Sequence, residues 1–273
     1  MSGNEIMASK TGSIKTASSH VSATGWFELY PLRFRFADCK LREFSPNTVR
    51  GAFGSALKRI DPDAYRRWFV PVAGGPSGLA DPPRPFVFRL TGPLEIGLNL
   101  FVTREPAVEL FTRVMAELGT IESVEGTGLL RLPLAASCGP VSRIRVRFMT
   151  PTELKGAERP EFGVLMARVR DRISTLRALY GEGPLEIDFK AFGERARSVA
   201  MSRCELVAVT AERVSRRTGQ RHSLGGFTGV VEYDKAEYEG ELAEFLPYLE
   251  IARWTGVGRQ TVWGKGEIAY EAF

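Results

Sequence analysis

The sequence contains few of the residues on which most enzyme active sites depend. Only two histidines, His20 and His222, occur in 273 residues, and the three cysteines, Cys39, Cys138 and Cys204, are widely separated. Without a C-x-x-C pair, neither a disulfide framework nor a zinc site is indicated. No Ser-His-Asp arrangement, Walker loop or H-E-x-x-H motif stands out, which disfavours peptide hydrolases, NTPases and metalloproteases. Nothing in the sequence requires a metal or a cofactor.

Long apolar runs are missing as well. No stretch approaches the roughly 18 residues of a membrane-spanning helix, and the N-terminus lacks the apolar core of a signal peptide. Residues 1–24 are rich in Ser, Thr, Gly and Ala and show no apolar periodicity, so we expect a flexible leader outside the fold. We therefore predict a cytoplasmic protein without a membrane partner.

The composition is that of a globular protein with an excess of arginine. Hydrophobic residues make up 44% and charged residues 25%, and the length predicts two domains. The 37 Lys and Arg exceed the 32 Asp and Glu, and 29 of the 37 are Arg. This balance is compatible with a polyanionic partner, and arginine favours forked contacts with phosphate. Genome composition would produce the same arginine bias.

The N-terminal half predicts the element order β-α-β-β-α-β. Alternation through Leu32, Phe34 and Phe36 predicts a strand. Asn47 is a suitable N-cap for a helix from Thr48 to Ile60. Further segments predict a hairpin with a turn at Thr91-Gly92, a helix over 108–118, and a fourth strand in LLRLPLAAS at 129–137.

The C-terminal half predicts the same order again. Its predicted segments are a strand at 143–151, a helix within 161–180, a connector at 184–200, a hairpin formed by 204–214 and 227–233, a helix around 242–249 shortened by Pro247, and a strand near Trp263 to Tyr270. Two such units in tandem predict an α+β protein with ferredoxin-like domains at 25–138 and 143–273.

A glycine-rich segment, GVGRQTVWGKG at 256–266, is the most specific feature of the sequence. It follows a predicted helix and precedes a strand, so it is not a dinucleotide-binding loop. Glycines permit close approach of another chain, and successive N–H groups can bind an anion. We expect RNA contacts from this segment, namely from Gly256, Gly258, Arg259, Gln260, Gly264, Lys265 and Gly266. The alternative is a structural connection in which Val257, Val262 and Trp263 pack inward.

Two further basic segments are candidates for phosphate contacts. Arg213, Arg216, Arg217 and Arg221 lie within nine residues, around a hairpin tip predicted at Gly219. Four guanidinium groups there can hold an RNA backbone, although a solvated hairpin would have the same sequence. In the predicted strand at 143–151, Arg143, Arg145 and Arg147 project from one face. They form either a backbone-binding platform or pairs with nearby acids.

These segments together resemble a known family. The spacing G-V-G-(five residues)-G-K-G is similar to the paired-glycine signature that ends the RAMP proteins of CRISPR systems. HSLGGFTGVVEY at 222–233 and FLPYLEIARWTGVG at 245–258 resemble the CRISPR-associated endoribonucleases that process precursor crRNA. VRGAFGSALKR at 49–59 and PPRPFVFRL at 82–90 resemble the first helix and a later strand of that family. The resemblance spans most of residues 27–273.

The resemblance implies a two-domain protein that binds a CRISPR repeat in precursor crRNA and cuts it without metal. In such cleavage the 2'-hydroxyl attacks the adjacent phosphate and leaves a 2',3'-cyclic phosphate and a 5'-hydroxyl. This chemistry needs a base, an acid and cations. Family members often place a histidine near the first helix, where this chain has none. The catalytic candidates are therefore His222, Lys58 and Arg50. A loop-ending histidine and solvated helix cations are the structural alternatives.

Two other functions stay open at this point. The chain could be a catalytically silent RAMP subunit that binds crRNA within a CRISPR effector complex. It could instead be a ferredoxin-like small-molecule enzyme or oligomerisation module without RNA affinity. Other effector subunits and a second copy of the chain are accordingly candidate partners besides repeat RNA.

Overall fold

The structure is a computed structural model that describes residues 25–71, 81–136, 139–210, 212–214, 221–223, 225–235 and 238–273. The predicted leader, Arg216, Arg217 and Cys138 lie outside the described residues. No helix among the described residues combines the length and hydrophobicity that crossing a membrane requires.

The N-terminal half forms one antiparallel sheet with helices on one face. Its elements are β1 (Trp26–Cys39), α1 (Pro46–Ile60), α2 (Pro62–Ala64), a π-helical turn (Tyr65–Phe69), β2 (Phe86–Gly92), β3 (Glu95–Leu100), α3 (Ala107–Ala116), β4 (Gly119–Glu125) and β5 (Leu130–Pro133). The strand order is β2-β3-β1-β4, and β5 pairs with the start of β1. This order is the one that a split β-α-β unit produces.

The start of α1 is fixed by Ser45 and not by the predicted Asn47. The hydroxyl of Ser45 accepts a hydrogen bond from the backbone N–H of Thr48, and Pro46 occupies the first helical turn. Proline is suited to that position because its missing N–H would have had no helical partner. The predicted hairpin of β2 and β3 is present, but its turn lies at Pro93 and Leu94, where Leu94 has a φ of 55°.

The fourth strand of the first sheet was assigned to the wrong segment. LRLP, at Leu130–Pro133, forms β5, which pairs with Trp26 to Leu29, whereas the strand next to β1 at the edge of the main sheet is β4. Among the residues of β4 only Gly119 is fully buried, so the strand carries little apolar alternation. A Cβ atom at Gly119 would overlap the carbonyl of Asp38 on β1, which explains the glycine there.

The C-terminal half repeats the architecture. Its elements are β6 (Arg143–Thr152), α4 (Phe162–Tyr180), α5 (Phe189–Arg197), β7 (Ala200–Val209), β8 (Glu212–Val214), β9 (Arg221–Ser223), β10 (Gly226–Asp234), a 3-10 turn (Leu242–Phe245), α6 (Leu246–Thr255), a second 3-10 turn (Thr261–Trp263) and β11 (Ile268–Ala272). The strand order β11-β6-β10-β7 corresponds to that of the first sheet, and every pairing is antiparallel. The predicted fold class, tandem ferredoxin-like α+β, is confirmed.

Three local predictions in this half need correction. The connector at 184–200 contains α5, which begins after Asp188; that carboxylate accepts from the N–H groups of Lys190 and Ala191. Pro247 does not kink α6 because it lies in the first turn. Trp263 belongs to a 3-10 turn, and the last strand begins only at Ile268.

The two halves share part of their hydrophobic core. Leu32, Phe34 and Phe36 of β1 pack in the first core, with α1 and α3. Phe27 and Leu29, at the start of the same strand, pack in the second core with α4 and α6. β1 therefore contributes side chains to both cores. The boundaries predicted for the two domains, 25–138 and 143–273, stay predictions.

Candidate RNA-binding site

The glycine-rich loop, residues 256–266, lies between α6 and β11, as the sequence predicted. Gly256, Gly258, Gly264 and Gly266 all have φ between 71° and 85°. L-residues rarely adopt this region, so each of the four positions favours glycine for conformational reasons alone. Gln260 also has a positive φ, of 60°.

The close backbone approaches of this loop are made within the protein. A Cβ atom at Gly258 would overlap the carbonyl oxygen of Glu153, and one at Gly266 would overlap that of Val257. A Cβ atom at Gly264 would lie 2.9 Å from Pro46, at the start of α1. The loop thus fits closely against the end of β6 and against the first helix of the other half.

Several N–H groups of the loop donate to backbone oxygens. The N–H groups of Val257, Arg259 and Gly266 donate to the carbonyls of Gly266, Glu153 and Pro151 at 2.8, 3.0 and 3.1 Å. Val257 and Val262 are buried, as the structural alternative expects. An anion would have to bind to other N–H groups of the loop. RNA contact by these glycines stays a prediction.

The charged side chains of the loop differ in accessibility. Lys265 is 3% exposed, and its Nζ donates to the carbonyl of Gly225 at 2.7 Å, to Oε1 of Gln260 at 3.0 Å and to Glu153 at 3.4 Å. Burial lowers the pKa of Lys265, and Glu153 opposes that shift. Arg259 pairs with Glu153 at 2.9 Å, but its side chain is 60% exposed. Arg259 can therefore reach a ligand, whereas Lys265 fixes the loop to the base of β10.

Arg50 lies where α1 meets the glycine-rich loop. Its guanidinium carbon is 4.7 Å from the centre of the Phe69 ring and 5.5 Å from that of Trp263. Phe69 can lie this close to α1 because Gly54 has no side chain; a Cβ atom there would overlap the ring. Cation–π contacts with two rings restrict the orientation of Arg50. Lys58 is exposed, with its Nζ 5.9 Å from the Tyr65 ring.

The predicted arginine hairpin has two described strands, β8 and β9, which pair antiparallel as a separate two-stranded sheet, and its predicted tip at Gly219 lies outside the described residues. In this ladder Arg213 is opposite His222 and Val214 is opposite Arg221. Gly225, which accepts from Lys265, adjoins the start of β10. The side chains of Arg213, Arg221 and His222 lie outside what the structure describes, as do Arg216 and Arg217 altogether.

The arginines of β6 lie on the face of the second sheet opposite its core. Arg145 donates to Glu232 at 2.8 Å and pairs with Glu271 at 2.8 Å, and Arg143 is 3.6 Å from Glu232. Arg145 lowers the pKa of Glu232 through its hydrogen bond and charge. Two of the three arginines thus contact acids, while Arg147 is exposed.

Two residues that shape this site were not predicted from the sequence. Glu153 holds both Arg259 and Lys265, and Phe69 holds Arg50. Neither carries a local signal, because each acts on residues distant in the chain. Among the described residues no three His, Cys, Asp or Glu side chains form a group that could hold a metal ion.

Comparison with known families bears on the C-terminal half. The family model of the CRISPR-associated endoribonuclease Cas6 matches residues 146–268, from β6 to the first residue of β11. The C-terminal half of the chain matches the Cas6 family. The resemblance to crRNA-processing endoribonucleases inferred from the sequence is thereby confirmed. The matched range contains the glycine-rich loop and the arginine hairpin.

Solved Cas6 structures share the fold over both halves. A Cas6 product complex is 21% identical, with a TM-score of 0.59 over 89% of this chain and 99% of that chain. A Cas6 substrate mimic complex is 22% identical, with a TM-score of 0.57 and coverage of 90% and 100%. Cas6 from Thermus thermophilus is 17% identical, with a TM-score of 0.57 and coverage of 92% and 100%. No curated protein matches the chain.

Proposed function

We propose that this chain is a metal-independent endoribonuclease that processes precursor crRNA within its repeats. The observation that carries the proposal is the Cas6 family match over residues 146–268. The likeness of the whole fold to Cas6 structures solved with product and with substrate mimic supports it. The cut leaves a 2',3'-cyclic phosphate and a 5'-hydroxyl.

The proposed cleavage site lies beside the junction of α1 with the glycine-rich loop. Arg50 contacts Trp263 there, and Gly264 lies against Pro46. Lys265 connects the same loop to Gly225, at the base of the arginine hairpin. A single RNA strand along this line would meet Arg50 from one half of the protein and the hairpin from the other.

Each catalytic candidate has a separate proposed role. Arg50 stabilises the negative charge that develops on the attacked phosphate, since an oriented cation requires little rearrangement during the reaction. His222 transfers a proton to or from the reacting oxygens. Lys58 lies eight residues after Arg50, or about 12 Å along the helix. We therefore propose that Lys58 contacts a neighbouring phosphate of the RNA.

The RNA-binding residues are proposed from charge and accessibility. The hairpin residues Arg213, Arg216, Arg217 and Arg221 contact the RNA backbone, and Arg259 and Arg147 add exposed cations. Arg143 and Arg145 join them only if RNA phosphate competes with Glu232. The glycines of the loop and Gln260 are proposed to line the path of the strand.

Cleavage of repeat RNA in the presence of EDTA tests this function. The products should carry a 2',3'-cyclic phosphate, which mass spectrometry identifies. A substrate with a single 2'-deoxy nucleotide at the cut position should bind normally and stay intact, because it lacks the nucleophile. Cleavage of that substrate, or a requirement for divalent metal, would contradict the mechanism.

A catalytically silent RAMP subunit is the second candidate. It is favoured by the scarcity of histidine, since His20 and His222 are the two available. Tight binding of repeat RNA without cleavage would support it. Absence of RNA affinity at moderate salt would instead favour a ferredoxin-like module without nucleic acid. A cytoplasmic location, expected from the lack of a membrane span and of a signal peptide in the sequence, stays a proposal. Other effector subunits and a second copy of the chain as partners are proposals too.

A further inference from the structure

A buried arginine lies under the glycine-rich loop without a hydrogen-bond partner among the described residues. Arg89 on β2 is 6% exposed, and its Nε, Nη1 and Nη2 atoms are all inaccessible and make no hydrogen bond within the described part of the chain. A Cβ atom at Gly256 would lie 2.7 Å from Nη2 of Arg89, so the guanidinium lies against the first residue of the loop. A buried guanidinium that makes no hydrogen bond is unusual, because each of its N–H groups has lost its hydrogen bonds to water.

A second arginine adds positive charge at the same place. Nε of Arg172 on α4 donates to the carbonyl of Thr255 at 3.0 Å, and its Nη2 has no partner among the described residues. Burial, and to a smaller extent the positive charge of Arg89, lowers the pKa of Arg172 to about 9. Burial lowers the pKa of Arg89 to about 10. Both side chains therefore carry their charge at neutral pH.

One carboxylate, that of Glu267, only partly offsets the charge of this pair. The carboxylate of Glu267 is 3.7 Å from Nε of Arg89, too far for a hydrogen bond, and its side chain is 38% exposed. The carbonyls of Trp254 and Thr255, at the end of α6, already accept from Asn99 and Arg172. The atoms of the two arginines that make no hydrogen bond are all donors, so a ligand suited to them offers acceptor oxygens, and one with negative charge is favoured further by the two cations.

We propose that Arg89 and Arg172 form a binding site for a phosphate group, which enters past Glu267. Arginine forks match phosphate geometry, and phosphate supplies acceptor oxygens and negative charge together. The carboxylate of Glu267 is the group that the phosphate displaces. The phosphate is either one from the backbone of bound RNA, in which case the inference rests on the proposed function, or free inorganic phosphate.

Thermal unfolding with inorganic phosphate tests the site directly. Phosphate should raise the Tm of the parent saturably compared with chloride at equal ionic strength, by about 3–6 °C at ten times its dissociation constant. Arg89→Met should abolish that response. Without phosphate the same variant should melt no lower than the parent, since it removes a buried charge that makes no hydrogen bond and leaves Glu267 partly exposed to water. Arg113→Met, at an exposed position on α3, is the matched control and should respond as the parent does.

Glu267→Gln provides an independent measurement if Arg89→Met fails to fold. Loss of the competing carboxylate should lower the dissociation constant for phosphate several-fold. If phosphate stabilises neither the parent nor Glu267→Gln beyond the effect of chloride, the proposal is overturned. If repeat RNA removes the phosphate response, the site takes an RNA phosphate. If the response persists with RNA bound, the site takes free phosphate.

Failure of the site and failure of the proposed function give different results. If the parent cleaves repeat RNA and phosphate has no effect, the endoribonuclease stands and the site does not. If the parent neither binds nor cleaves RNA and Arg89 still mediates a phosphate response, the site stands without the proposed function.

Discussion

Replacing Gly266 by Ala should destabilise the protein far more than the same change at Gly156. The two glycines have similar φ values, 71° and 77°. A methyl group at Gly156 would meet nothing within 4 Å, whereas one at Gly266 would overlap the carbonyl of Val257, closer than the 3.0 Å limit of real Cβ contacts. Gly156→Ala therefore measures the conformational cost alone, and Gly266→Ala adds the steric overlap.

Three contributions set the size of the two losses in stability. A left-handed alanine costs about 1–2 kcal/mol, which is the whole effect expected at Gly156. Overlap adds about 1–3 kcal/mol, and loss of the 2.8 Å hydrogen bond from Val257 to Gly266 adds about 1 kcal/mol. We expect a loss of roughly 3–6 kcal/mol for Gly266→Ala. Urea unfolding of both variants, followed by circular dichroism, measures the difference. Equal losses would refute the view that this glycine is required by an internal contact.

Four further outcomes are expected. Gly258→Val and Gly264→Val should each lower thermal stability and, if the loop lines the RNA path, weaken repeat-RNA binding; a folded variant with parental affinity would leave the loop a structural connection. Replacing Arg216, Arg217 and Arg221 together by Ala should weaken RNA binding and reduce the slope of its salt dependence by about 2–3, as fluorescence anisotropy measures, and an unchanged slope would remove the hairpin from the interface. Arg50→Ala should lower the single-turnover cleavage rate by about 10²-fold with little change in affinity for repeat RNA, while Lys58→Ala should mainly weaken RNA binding. The reverse pattern would exchange the roles of the two residues. Because Arg145 holds the pKa of Glu232 below its ordinary 4.5, that pair stabilises the fold above about pH 4.5 and loses its effect as the pH falls further. The melting temperature of Arg145→Gln should therefore be closest to that of the parent in acid. A constant difference in Tm between pH 7 and pH 3 would contradict this.

The sequence predicted those elements whose apolar residues repeat regularly. Leu32, Phe34 and Phe36 mark β1, and the apolar stripe of 162–180 marks α4, because each pattern is long enough to show its period. β4 was not predicted because its half-buried Ile121 and Val124 give almost no alternation of apolar and polar residues. α5 was not predicted because it has only nine residues, and its buried Phe192 and Ala196 lie among charged residues typical of a connector.

The candidate site was predictable in composition but not in geometry. The spacing of the glycines and the clustering of the arginines indicated which segments form the site. The contacts of Gly264 with Pro46 and of Arg259 with Glu153 join residues more than 100 positions apart. Local pattern carries no information about such pairs. The burial of Lys265 and the pairing of Arg145 with Glu232 became visible only once the strands were placed side by side.

The shared strand β1 makes the two halves thermodynamically dependent on one another. A fragment that begins at Arg143 would contain the whole second sheet, yet its core would lack Phe27 and Leu29, together with Phe101 from the first half. Loss of such large side chains from a core costs several kcal/mol each, which is comparable to the stability of a whole domain. The protein should therefore unfold in one cooperative transition, and the segment that carries the family signature should not fold when it is expressed alone.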